Sequence, residues 1–206
     1  SAIMVQGKVK EYQNLVFKIL GFSKKQIIFS SLIEFIIIFK SVILIAIFFA
    51  VIENDLRRVL AYSLNNQLGF MVVGIGVGTE LALNGTAAHA FSHILYKALL
   101  FMSVGAVLFR TGTSRASELG GLYRTMPLTA IFCLIGAASI SAFPLFSGFV
   151  SKSLIKSGAG TEHYQIIWLI LVFASAGVLS HSGIKVPYFT FFHHDSGKRP
   201  AEAPMH

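Results

Sequence analysis

A chain of 206 residues that is 54% hydrophobic and only 13% charged carries far more apolar surface than a water-soluble core of that size can bury. Its formal charge of +8 does not mark a nucleic-acid partner, because the basic residues are spread through loops and termini with no soluble basic domain to hold them. No phosphate loop, catalytic triad, haem motif or nucleotide fingerprint is present, which argues against a self-sufficient enzyme and against a bound cofactor.

Several apolar runs approach or exceed the roughly 20 residues that cross a ~30 Å hydrocarbon layer as a helix. They are continuous and do not alternate with polar residues, so the spans read as helices and not as barrel strands. Residues 1–26 hold Lys8, Lys10, Lys18, Lys24 and Lys25 among apolar side chains and read as a basic amphipathic segment on the membrane surface, or equally as a partly ordered tail. No short apolar core with a small-residue cleavage site stands near the start, so no removable signal peptide is expected.

The region 27–194 reads as five transmembrane helices. The first covers about Ile27 to Ile52 and is interrupted only by Glu34 and Lys40, before Glu53-Asn54-Asp55-Leu56-Arg57-Arg58 ends it. The second covers about Val59 to Gly78, with Asn65, Asn66 and Gln67 inside it and GIGVG at its end; a tight turn follows at Thr79-Glu80. The third, about Leu81 to Phe109, contains His89, His93 and Lys97. A long basic loop leads to the fourth, which starts near Pro127, a favourable first-turn residue, and meets Pro144, Ser147 and Gly148. That combination predicts a broken helix. The fifth starts near Tyr164, passes the weak point Ser180-His181-Ser182-Gly183, bends near Pro187 and ends at His193-His194; residues 195–206 form a polar tail. Cys133 lies within an apolar run with no partner for a disulfide or a metal.

Lysine and arginine counts over alternate connections put Arg57, Arg58, Arg110, Arg115, Arg124, Lys198 and Arg199 on the cytoplasmic side. The five N-terminal lysines run against that assignment, although a segment lying on the surface need not follow the rule.

The strongest chemical signal is the row His89, His93, Lys97. Spacings of four set successive residues about 40° apart around a helix and about 6 Å apart along it, so one helix side carries three proton-exchanging groups. A lysine near the middle of a span is costly unless it faces protein, water or a counter-charge, which makes Lys97 a functional residue by default. Together the three groups suit a proton relay bridged by water. Two other readings stay open: the histidines simply hydrogen-bond neighbouring helices, or they hold a zinc ion, for which no nearby carboxylate or cysteine completes a ligand set. Lys152, after the Pro144 and Gly148 break, is a second candidate, because broken helices at membrane depth line protected or hydrated cavities; alternatively it snorkels to the interface. Lys40 is central in the first span and Glu34 nearer its end; about 120° apart, they do not pair with each other. Asn65, Asn66 and Gln67 either line water or, more in keeping with their type, pack between helices.

The strings DLRRVLAYSLNNQLGFM, HAFSHILYKALLFMSVGAVLFRTGT, ELGGLYRTMP and SAFPLFSGFVSKS, in this order, resemble the second half of the proton-translocating antiporter-like family. That family includes the D and A subunits of multisubunit sodium/proton antiporters and the antiporter-like membrane subunits of respiratory complex I. The likeness covers about residues 40 to 192, and the ending SGIKVPYFTFFHHDSGKRP looks like that of the bacterial D subunits. Family members have about fourteen helices with two inverted five-helix repeats, each containing a broken helix, so the resemblance implies that this chain is one such repeat with its fourth helix broken. It further implies that Lys97 and Lys152 belong to a central hydrophilic axis, with His89 and His93 between them. The implied function is proton conduction as a half-channel within a larger assembly in the bacterial inner membrane. Its implied partners are other membrane subunits, the lipid bilayer, and protons with sodium as a further candidate ion.

The departures are as informative. Where the family commonly has lysine, this chain has Arg57, which positions charge but does not release its proton. The first repeat is absent, with its glutamate and lysine pair, and the run holding Glu34 and Lys40 fits the family poorly. A truncated homologue serving as a structural, non-transporting subunit is the competing expectation.

Overall fold

The computed structural model describes residues 45–204; Glu34, Lys40, all of the expected 1–26 segment and the first span up to residue 44 lie outside them. After helical residues 45–52, five helices follow: α1 (Leu56–Val77), α2 (Glu80–Thr111), α3 (Pro127–Ile140), α4 (Ser147–Thr161) and α5 (Gln165–Val178). Beyond α5 the same rod continues through wide π-type turns at Leu179–Lys185 and Tyr188–Phe192.

Local chemistry sets the helix ends. The Asp55 carboxylate accepts from the backbone N–H groups of Arg57 and Arg58 at 2.9 and 3.4 Å, so α1 starts with two of its free donors satisfied. Gly78, at φ 72°, stops it in the left-handed conformation that a side chain would resist. The Thr79 hydroxyl accepts from the Ala82 N–H at 3.1 Å to start α2, and the Gly112 N–H closes it on the Leu108 carbonyl at 2.8 Å. Pro127 occupies the first turn of α3, and the carboxylate of Glu202, more than 70 residues on, accepts from the N–H groups of Leu128 and Thr129 at 3.1 and 3.3 Å. The tail is therefore not merely a polar end: an anion within it meets the free donors of a helix N-terminus, and Arg110 holds the neighbouring Ala201 carbonyl at 2.7 Å.

The two arginine-bearing connections meet at one end of the bundle. Leu56 N–H donates to the Ser114 carbonyl at 2.9 Å, Ala116 N–H to the Asn54 carbonyl at 2.8 Å, and Ser114 Oγ to Asp55 at 3.0 Å. In the tail on the same side, the Asp195 carboxyl is held well below the usual carboxylate range by Arg199 and by the Gly197 N–H.

Helix α2 is the central post, packed against α1, α3 and α4. Contact with α4 is close because Gly85 has no side chain: a Cβ there would come within 2.7 Å of Leu154 Cβ. What the packing hides is inverted relative to a soluble protein. His89, His93, Lys97 and Lys152 are buried, whereas Phe91, Ile94, Met102 and Phe109 on the outside of α2 are exposed. Water would reverse that distribution and lipid favours it, so the chain is an integral membrane protein. Among the described residues two helices, α2 and the continuous Gln165–Phe192 rod, are long and apolar enough to cross a membrane. Helix α1 has the length, 22 residues, but carries Asn65, Asn66 and Gln67. Helix α3, at 14 residues, is too short, because the chain breaks before α4 begins.

At that break Ala142 and Leu145 take positive φ, and Pro144 stands between them. Gly148, in the first turn of α4, abuts the end of α3 so closely that a Cβ would clash with the Ser139 carbonyl oxygen. Gly148→Ala is expected to push the two half-helices apart and destabilise the bundle by about 2 kcal/mol, read as a lower melting temperature of the purified membrane assembly.

Candidate functional site

The four-residue rows of α2 bring His89, His93 and Lys97 to its inner face, all buried. The two imidazoles lie nearly parallel with ring centroids 6.0 Å apart, and the Tyr96 ring meets His93 edge-on at 5.4 Å. Opposite this row α1 presents Asn66 and Gln67, and α4 presents Ser151 and Lys152.

His89 is held on both ring nitrogens. Nε2 lies 3.1 Å from Gln67 Oε1 and Nδ1 lies 2.9 Å from Ser151 Oγ. With the Gln67 NH2 group donating to Asn66 Oδ1 at 3.1 Å, the Gln67 oxygen faces His89 and accepts from Nε2–H. Nδ1 then accepts from the Ser151 hydroxyl when the ring is neutral. If the ring gains a proton, Ser151 can turn its own hydrogen to the Ser147 carbonyl, 3.2 Å away, and accept from Nδ1. Both protonation states of His89 are thus fully hydrogen-bonded, and this ring can change state without orphaning either of its own nitrogens.

The two lysines are held differently. Lys152 is completely buried, and its ammonium donates to the Ile140 carbonyl at 2.7 Å and sits 5.2 Å from the centre of the Phe70 ring. Ile140 ends α3, so the ammonium meets the negative end of a half-helix. Helix α4 carries Lys152 into the core beneath the break, not out to the interface. The Lys97 ammonium has no hydrogen-bond partner among the described residues and lies 5.7 Å from the centre of the Phe101 ring. His93 Nε2 and Asn66 Nδ2 are likewise buried without a partner among them. Among the described residues the ion pairs are two exposed ones, Arg115 with Glu118 and Arg199 with Asp195, so neither buried lysine is neutralised by a carboxylate there.

The structure brings together His89, His93, Lys97 and Lys152. It does not bring Arg57 to them: that side chain is exposed in the first turn of α1. Of the α1 amides, Asn65 is exposed, whereas Gln67, expected chiefly as packing, is the hydrogen-bond partner of His89. Ser151 and His181 were not singled out by sequence. Ser151 stood beside a chosen lysine, and His181 stood in a polar interruption of an apolar run, which was its one visible signal.

Comparison with known proteins gives a consistent answer. The model for the family "NADH:quinone oxidoreductase/Mrp antiporter, TM" matches residues 1–180, taking in the run around Glu34 and Lys40 that the motifs alone had set apart. The chain is 37% identical over 145 residues to the D subunit of the Na(+)/H(+) antiporter of Alkalihalophilus pseudofirmus, covering 69% of this chain and 29% of that protein. It is 32% identical over 156 residues to NADH-ubiquinone oxidoreductase chain 5 of Metridium senile, covering 75% and 26%. Among solved structures, the Mrp complex of a Dietzia species superimposes with a TM-score of 0.72 at 28% identity, over 77% of this chain and 30% of the other. The chain thus spans less than a third of each of these relatives.

Proposed function

The chain belongs to the NADH:quinone oxidoreductase/Mrp antiporter membrane family, and we propose that it conducts protons as a half-channel within a multisubunit assembly of that kind. The proton path runs from Lys97 to His93 and His89 along α2, crosses to Ser151, and reaches Lys152 on α4, with water completing the gaps. The observation that carries this reading is the pair of buried ammonium groups from two helices with no carboxylate beside either among the described residues, joined by histidines, of which His89 is hydrogen-bonded in both charge states. Placing such groups at membrane depth costs several kcal/mol each, which packing alone does not require.

The five described helices, with α3 and α4 as halves of one broken element, support the reading of a single five-helix repeat when the run before residue 53 is counted as a span. The partners that fit are further membrane subunits supplying the rest of the path, and the ions are protons, exchanged for sodium if the assembly acts as an antiporter. The likeness to a bacterial D subunit favours the inner membrane of a bacterium.

The deciding measurement is proton flux across vesicles containing the reconstituted assembly. Lys97→Ala is expected to reduce flux by at least about tenfold while the assembly still forms. Unchanged flux would reject the relay and leave the chain as a structural component.

A further inference from the structure

We infer that His181, on the widened turn of α5, is a further proton carrier that branches from the lysine and histidine cluster towards the polar end of the bundle; this rests on the proton-conducting reading above.

The turn Leu179–Lys185 is wide for an identifiable reason. Pro187 has no N–H to give to the carbonyl one turn back, so the helix loosens upstream of it. Loosening turns three polar side chains inward or along the rod: His181, Ser182 and Lys185. His181 and Ser182 are completely buried. His181 Nδ1 lies 2.8 Å from Ser182 Oγ, and the Ser182 hydroxyl donates to Ser63 Oγ of α1 at 3.0 Å. With the Ser182 hydroxyl turned to Ser63, its oxygen accepts from the ring, and in that tautomer Nδ1 bears the proton and Nε2 presents a bare lone pair. That nitrogen is buried with no partner among the described residues.

The surroundings bring this turn against the site. Gly183 lies so close against Ser141 that a Cβ would clash with the serine oxygen. Ser141 follows Ile140, whose carbonyl holds the Lys152 ammonium. The turn therefore rests on the break in the α3–α4 element. Lys97 from α2, Lys152 from α4 and Lys185 on its own helix are the charged groups around the ring, while α1 contributes the neutral Ser63 through Ser182. One turn further on, the half-buried Lys185 ammonium donates to the carbonyls of Ala50, Val51 and Glu53 at 3.3, 2.6 and 2.5 Å. It closes the helix ending at residue 52, next to the polar connection that holds Asn54 and Asp55. A proton reaching Nε2 forms the imidazolium. The Nδ1 proton then passes to Ser182 as Ser182 passes its own to Ser63 and Ser63 releases one to water, which leaves the ring neutral again.

The test compares His181→Gln, Ser182→Ala and Lys97→Ala in the complete reconstituted assembly. Glutamine keeps a polar partner for Ser182 but carries no proton, so flux is expected to fall by at least about fivefold and its pH profile to lose one titration step. Wild-type flux in His181→Gln overturns the proposal, and so does a fall in flux with an unchanged pH profile, which is what a packing role gives. If His181→Gln does not assemble, Ser182→Ala, which leaves the imidazole in place, decides: about threefold slower flux supports the branch and full flux overturns it. Lys97→Ala separates the two levels of the reading. If it transports normally the proton path as a whole fails, whereas a dead Lys97→Ala beside a normal His181→Gln removes only the branch.

Discussion

Lys97→Arg is expected to stop proton flux about as completely as Lys97→Ala, a loss of more than about tenfold, because guanidinium keeps the charge and does not release its proton. This is the sharpest available separation between a charge that is merely present and one that is handed on. The Lys97 ammonium stands on α2 with no hydrogen-bond partner among the described residues, so it has no structural bond to lose there. An arginine can stack on the Phe101 ring that the ammonium already faces, and the bundle should tolerate it. The measurement is pH-gradient decay in vesicles, read alongside the melting temperature of the same preparation. Wild-type flux with arginine would mean that a fixed positive charge suffices, as it would for shaping the field felt by a neighbouring chain, and a relay through Lys97 would be excluded. Lys97→Met, of similar volume and without charge, should behave like alanine.

The parts of this site that were legible in the sequence share one property: they lie on a single element. His89, His93 and Lys97 are neighbours because a helix repeats every 3.6 residues, so their common face needs no knowledge of the fold. Lys152 was legible as a residue after a break, but its depth was not, because its partner is the Ile140 carbonyl and backbone atoms leave no mark in a sequence. Gln67 reads the same whether it packs or binds a histidine, and only the approach of α1 to α2 decides. The last helix was expected to weaken at residues 180–183 and to bend near Pro187; the widened turn Leu179–Lys185 takes in that weak point, upstream of the proline whose missing N–H frees a carbonyl one turn back, and a second widened turn, Tyr188–Phe192, follows it. Glu202 capping α3 was invisible for a different reason. A free helix N-terminus attracts any carboxylate that can reach it, and a separation of more than 70 residues gives no clue which one will.

Lys152→Met is expected to lower proton flux by more than about tenfold while leaving the stability of the assembly almost unchanged, and the two halves of that outcome come from opposing terms. Removing the ammonium takes away the 2.7 Å bond to the Ile140 carbonyl and strands a buried acceptor at the end of α3. An unsatisfied buried acceptor costs about 1–3 kcal/mol. Against that, the wild-type protein keeps a completely buried cation with no carboxylate beside it among the described residues, and a lysine at the centre of a span costs about 2.5–3.5 kcal/mol on insertion scales. The terms nearly cancel, so the melting temperature should shift by no more than a few degrees in either direction. A residue whose loss leaves the fold intact yet abolishes transport is there for transport. A large drop in melting temperature with flux per assembled complex preserved would instead make Lys152 a cap that holds the broken helix together, and the path would have to end at His89.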